Sequence, residues 1–120
     1  MIFMLEESLL QKWQTEYKKG FSKPLILFAL QEVGKSTAFP LIKKIVELSK
    51  GQITIVGSNI YPMLKSLVDE NLIEKDEDLK FYQLTQGGKE FLLQLGYSLS
   101  EFTQMLLKIT EKNANQDECE

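Results

Sequence analysis

Three features of the sequence predict a mainly α-helical chain with a small β-hairpin. Apolar residues recur every three or four positions along most of it, two short strand-like runs flank an acidic turn, and glycines or prolines mark where each helical stretch begins or stops. At 120 residues this is one domain with room for helical extensions, and its 43% apolar content gives a real but modest core. A domain of this size gains from pairing with a second copy.

The elements follow in order. Leu5, Leu9, Trp13 and Tyr17 recur every four residues and predict a first helix over about Leu5–Lys19, closed by Gly20 with Lys18 and Lys19 at the negative end of its dipole. Pro24 opens "PLILFALQE", apolar almost all round, as a central helix would be. "GKST" reads as a turn offering Ser36 or Thr37 as an N-cap. The helix "AFPLIKKIVELSK" then sets Phe39, Ile42, Ile45, Val46 and Leu48 mostly to one side and ends at Gly51, and "QITIV" is a short loop or strand.

In "GSNIYPMLKSLVDENLIE", Gly57 permits a turn, Ser58 is expected to cap the helix, and Pro62 is expected in its first turn, where a missing N–H costs little. Ile60, Leu64, Leu67 and Val68 share one face, leaving Asn59, Pro62, Met63, Lys65, Ser66 and Asp69 outward or on the flanks. Leu72–Lys75 and Lys80–Thr85 read as two strands around "DEDL", a hairpin turn without glycine. Thr85 is expected to cap "QGGKEFLLQL", which Gly96 interrupts. "SLSE" has the spacing of a capping box and launches a last helix, where Leu99, Phe102, Leu106 and Ile109 form a short a/d seam. Such a seam serves either a partner copy or the chain's own core, and at the end of a chain a partner is the commoner use. The resulting division is an N-terminal helical extension (1–22), a central unit (23–96), a dimerisation helix (97–112) and a disordered acidic tail (113–120).

Composition excludes more than it assigns. With no histidine and a single cysteine, Cys119, neither the usual zinc sites nor Ser–His or Cys–His dyads can be assembled, and "QGGK" lacks the length and hydroxyl of a phosphate loop. The reading is therefore no enzyme, no metal and no cofactor. The lone thiol has no internal disulfide partner, and the start "MIFMLEESLL" is not a secretory signal, so a cytoplasmic protein is expected, nucleoid-associated when on DNA. Net charge is −3, but unevenly spread: residues 8–65 hold nine lysines against three carboxylates, residues 66–120 five against twelve. Nucleic acid would meet the basic half.

Three helices followed by a hairpin, after an extra N-terminal helix and before a C-terminal dimerisation helix, are the order of a winged helix-turn-helix. In that fold the third helix enters the DNA major groove with the hairpin "wing" beside it. Over roughly Pro24 to Leu95 the sequence resembles the PadR family of transcriptional regulators. "PLILFALQEVG" is similar to its first core helix, "GSNIYPMLKSLVDENLIE" to its Gly-Ser-x-x-Tyr-Pro-x-Leu…Leu…Gly-Leu-Ile-Glu signature, and "KFYQLTQGGKEFL" to its closing strand and helix. The resemblance implies a homodimer held by the C-terminal helix, binding pseudo-palindromic double-stranded DNA and repressing transcription, with Asn59–Ser66 as the outer face of the recognition helix and Tyr61 close to the DNA backbone.

Two departures matter. Asn71 stands where the family has glycine, and asparagine also tolerates the left-handed backbone of a C-cap. The wing tip Asp76–Glu77–Asp78 is acidic, so it is expected to swing clear of phosphate, leaving Lys75 and Lys80 at its base as contacts. All fourteen basic residues are lysines, which lack the guanidinium fork that best reads guanine. Base reading falls to Ser58, Asn59, Lys65 and Ser66, with Gln52 and Thr54 as further candidates, and the expected site is A·T-rich. Lys43, Lys44, Lys50 and Lys65 are the candidate phosphate contacts, with Lys35 behind them, although each lysine taken singly is equally well a solvated residue. Lys18, Lys19 and Lys23 read as solvent-facing. Trp13, Tyr17, Tyr97 and Phe102 read as packing rather than a ligand cage, and no small-molecule effector is read from the sequence. Two other functions fit the same fold: a DNA-coating or plasmid-partition protein resembling PadR, and a winged-helix protein-interaction module that binds no DNA.

Overall fold

The computed structural model describes residues 2–119, with side chains described for residues 8–112. Five helices and three short strands follow in the order α1 (Ile2–Lys18), a 3-10 turn (Lys19–Phe21), α2 (Ser22–Val33), β1 (Lys35–Ser36), α3 (Ala38–Leu48), α4 (Gly57–Asp69), β2 (Ile73–Lys75), β3 (Tyr82–Leu84) and α5 (Gln86–Cys119). The core is one cluster. Ile26, Leu27, Ala29 and Leu30 of α2 meet Leu41 and Ile45 of α3, Ile60, Leu64 and Leu67 of α4, and Ile73, Tyr82 and Leu84 of the hairpin, with Leu92 of α5 closing it. Pro24 is the third residue of α2, within the turn where its missing N–H goes unused.

The antiparallel sheet has the order β1-β3-β2. β2 and β3 are the expected hairpin, trimmed at both ends, with Ile73 opposite Leu84 and Lys75 opposite Tyr82. β1 is new: "GKST" is not simply a turn, because Lys35 and Ser36 pair with Gln83 and Tyr82. Two residues carry no period, so a strand this short exists only through its partner. The wing turn closes without glycine because the Asp76 carboxylate accepts from the Asp78 and Leu79 N–H groups, both at 2.9 Å, while Lys80 takes the left-handed backbone at φ 58°. Asn71 takes the same conformation at φ 63°, as its place after α4 requires.

The entry to α5 is held twice. Thr85 Oγ1 accepts from the Gly88 N–H (2.9 Å) and donates to the Asn71 carbonyl (2.7 Å), joining the helix start to the end of α4. Gly88 lies against the Leu72 carbonyl, and a Cβ there would overlap it. Of the two glycines that seem unfavourable in "QGGK", this one is a packing requirement.

Three expectations are corrected. α5 runs unbroken through Gly96 and past "SLSE", so no new helix starts at Ser98. A helical glycine costs about 1 kcal/mol relative to alanine, too little to break a helix anchored on both sides of it. Ser58 does not cap α4: the N-cap is Val56, whose carbonyl takes the Asn59 N–H at 2.8 Å, and Ser58 is already helical. Pro62 is the sixth residue of α4 rather than part of its first turn, which leaves the Ser58 carbonyl without its usual donor four residues on. The acidic tail expected over 113–120 falls, as to its side chains, outside the described residues.

Candidate nucleic-acid interface

At 100° per residue, the buried stripe of α4 (Ile60, Leu64, Leu67) turns Ser58, Pro62, Lys65 and Asp69 directly away from the core, with Asn59 on one flank and Tyr61 on the other. Ser58, Asn59, Tyr61 and Lys65 are all exposed. Relieved of capping, the Ser58 hydroxyl has no hydrogen-bond partner among the described residues, and both it and Asn59 can donate to or accept from a base edge. α3 packs beside α4 with its own buried stripe, Ala38, Leu41 and Ile45, which sends Phe39 and Lys43 outward together, while Lys50 lies past the helix end in the left-handed backbone at φ 54°. α4 therefore presents Ser58, Asn59, Tyr61 and Lys65, α3 presents Lys43, and Lys50 is exposed in the turn that follows α3.

The other expected contacts separate from this group. Lys44 lies on a different face of α3 and bonds Glu47 at 3.2 Å, so part of its charge is already answered. Gln52 and Thr54 line a polar groove of about 420 Å³ whose other wall is α1, with Gln11, Gln14, Thr15 and Lys18. They face that helix rather than the outer face of α4. Lys75 and Lys80 are exposed at the wing, Lys75 with its ammonium 5.8 Å above the Tyr82 ring, and Lys35 sits 4.6 Å above the Phe81 ring.

Ser66 and Lys23 change roles. Lys23, read as solvent-facing, reaches from the start of α2 to α4, where its ammonium donates to Ser66 Oγ (2.8 Å) and Glu70 Oε1 (3.0 Å). Ser66 donates its single hydroxyl proton to Glu70 (3.1 Å), so it has none to give a base or phosphate. The Lys23 hydrogen bond, aided by that of Ser66, holds the Glu70 carboxyl below its ordinary value of 4.5. The three side chains tie the end of α4 to the start of α2. Nothing in the local sequence signals such a pairing across more than forty residues.

Sequence reasoning also misplaced Phe39. It was grouped with the apolar side of α3, yet it is 65% exposed, and its ring edge lies 3.7 Å from where a Cβ on Gly57 would stand. The 100° spacing from Ala38, Leu41 and Ile45 carries the signal: Phe39 falls well off that stripe.

Helices α2 to α4 followed by a two-stranded wing define a winged-helix protein. Solved structures agree on that fold. One is a padr family transcriptional regulator from Eggerthella lenta (TM-score 0.66, 20% identity, covering 90% of this chain and 97% of that one). A second is a transcriptional regulator from Clostridium thermocellum (TM-score 0.65, 19% identity, 78% and 96% covered). A third is a winged-helix DNA-binding protein from STIV (TM-score 0.56, 22% identity, 71% and 91% covered). Comparison with curated proteins returned no match. The family model of the transcriptional regulator PadR-like family matches residues 26–94, more than half of the chain, and the chain belongs to that family.

Proposed function

We propose that this protein is a homodimeric DNA-binding transcriptional repressor that lays α4 in the major groove. The observation that carries the reading is the outer face of α4, where Ser58, Asn59 and Lys65 stand exposed, with Lys43 exposed on the outer face of α3. Between Glu32 and Asp69 the only carboxylate is Glu47, which is bonded to Lys44. A helix that offers hydroxyl, amide and ammonium groups, flanked by cations and almost free of anions, suits a base edge between two phosphate rows.

In this reading Asn59 and Ser58 read bases, Lys43, Lys50 and Lys65 meet phosphates, and Tyr61 lies along the backbone. The acidic wing tip stays clear, with Lys75 and Lys80 nearest the duplex. The second copy docks through α5, whose Phe102, Leu106 and Ile109 are exposed on the extended helix, with Leu99 partly covered beside them. Two α4 helices then face half-sites about one helical turn apart on a pseudo-palindrome. Family membership and the winged-helix neighbours support DNA binding.

Fluorescence-anisotropy titration tests this on the DNA upstream of the protein's own coding region and on an unrelated A·T-rich duplex, each at two salt concentrations. Tight, salt-sensitive binding to the upstream DNA alone is the expected result for a repressor that controls its own synthesis. Equal binding to both duplexes would replace it with a coating or partition role. No binding to either would leave a protein-interaction module.

A further inference from the structure

We infer that Phe39 is a specificity-determining residue of this interface, its ring covering a thymine methyl group next to the bases read by α4. The inference rests on the DNA-binding reading above and adds to it a contact of different chemistry.

A large apolar ring exposed at the first turn of α3 has to be accounted for by what surrounds it. The ring edge lies beside Gly57, the first residue of α4, 3.7 Å from where a Cβ would stand. Val56 and Tyr61, 66% and 50% exposed, lie immediately before Gly57 and one turn after it, so three apolar side chains surround the start of the recognition helix. The nearest charges along both helices are cations: Lys43 shares the outer stripe of α3 with Phe39, and Lys65 follows Tyr61 by one turn. A purely hydrophobic peptide would cover the apolar patch but leave those lysines unpaired. A major-groove edge offers both features at once, since thymine is the base that places a methyl group there, and phosphates run along each side.

The same patch explains how a protein without arginine can discriminate. Lysines supply affinity with little sequence information. One amide and one hydroxyl on α4 read few positions. A ring fixed against the helix start adds recognition that depends on shape and a methyl group rather than on a proton.

The test uses a duplex selected by the full-length protein from random sequences, with its thymines replaced one at a time by deoxyuridine, which removes only the methyl group. Affinities are measured for the wild type, Phe39→Ala and Phe39→Leu, with thermal melting as the folding control. The expected wild-type result is a loss of about five- to tenfold at one or two thymines. Phe39→Ala should bind the unmodified duplex more weakly by a similar factor and no longer distinguish thymine from uracil there, while its salt slope stays unchanged because no phosphate contact is lost. Phe39→Leu should retain part of the discrimination.

Undiminished affinity of Phe39→Ala would overturn the inference. So would weaker binding with the thymine-to-uracil ratio intact, which would make Phe39 a support for α4 instead. If the wild type selects and binds a duplex but ignores every methyl group, this inference alone fails. If it binds no duplex at all, the DNA-binding reading fails with it.

Discussion

Between Ser22 and Leu95 fifteen apolar residues are buried in one cluster, although Phe39, Val56, Tyr61, Leu79 and Leu93 stay exposed, whereas α1 and the part of α5 beyond Leu95 bury none of their described apolar residues. α1 shows Leu9, Trp13 and Tyr17 to solvent, and α5 beyond Leu95 shows Tyr97, Phe102, Leu106 and Ile109. Between α2 and α5 an open groove of about 660 Å³ is lined by Phe28, Leu92, Leu93 and Tyr97. The central unit holds the whole of the buried cluster. The outer helices, in a molecule 65 Å along its longest axis, carry apolar surface of a kind that single copies rarely leave exposed. The contrast teaches that one chain treats its surfaces differently: the centre buries the inner face of α4 in the core, and the arms carry apolar surface that the proposed second copy would cover.

Substitutions can break or sharpen that contrast. The largest effect belongs in the centre: Leu64→Ala, at a fully buried position of α4, should lower stability by about 2–5 kcal/mol, read as a shift in the denaturant midpoint. On the arms, Leu106→Glu should leave the fold intact and instead halve the mass seen by light scattering, while removing the dependence of the melting temperature on protein concentration. If that variant unfolds like Leu64→Ala, the division between centre and arms is wrong.

A smaller effect separates two neighbouring lysines. Lys43→Gln should reduce the slope of log affinity against log salt by about 1, whereas Lys44→Gln, whose ammonium already bonds Glu47, should change it less. The smallest concerns the tie between α2 and α4. Because the Lys23 hydrogen bond holds the Glu70 carboxyl below its ordinary 4.5, the stability this pair contributes is present above that value and is lost as pH falls through the lowered one. Wild type and Lys23→Met should therefore differ slightly in melting temperature at pH 7 and converge below pH 4.5. Both groups are solvent-exposed, which keeps the difference small.

How much of this was legible in advance depended on how local each cause was. The winged-helix order, Asn71 in the left-handed region, Thr85 as the cap of α5 and Lys65 on the outer face of α4 all follow from periods and end signals within a dozen residues. Phe39 was within reach of the same reasoning, had the stripe been drawn through Ala38, Leu41 and Ile45. Ser66 was not, because its outward position on α4 looks the same whether or not Lys23 arrives from α2 to occupy it.

By itself, then, the sequence determined helices α1 to α4, the hairpin and which face of α4 turns outward, because 3.6-residue and two-residue periods are written into neighbouring positions. Only the tertiary structure decided that Lys35–Ser36 form a third strand, that α5 passes through Gly96 without a break, that Lys23, Ser66 and Glu70 bind one another, and that Phe39 stands beside Gly57. Each of these turns on a partner distant in the chain or on the sum of anchors along a helix, and energies of that kind have no signature in a local window.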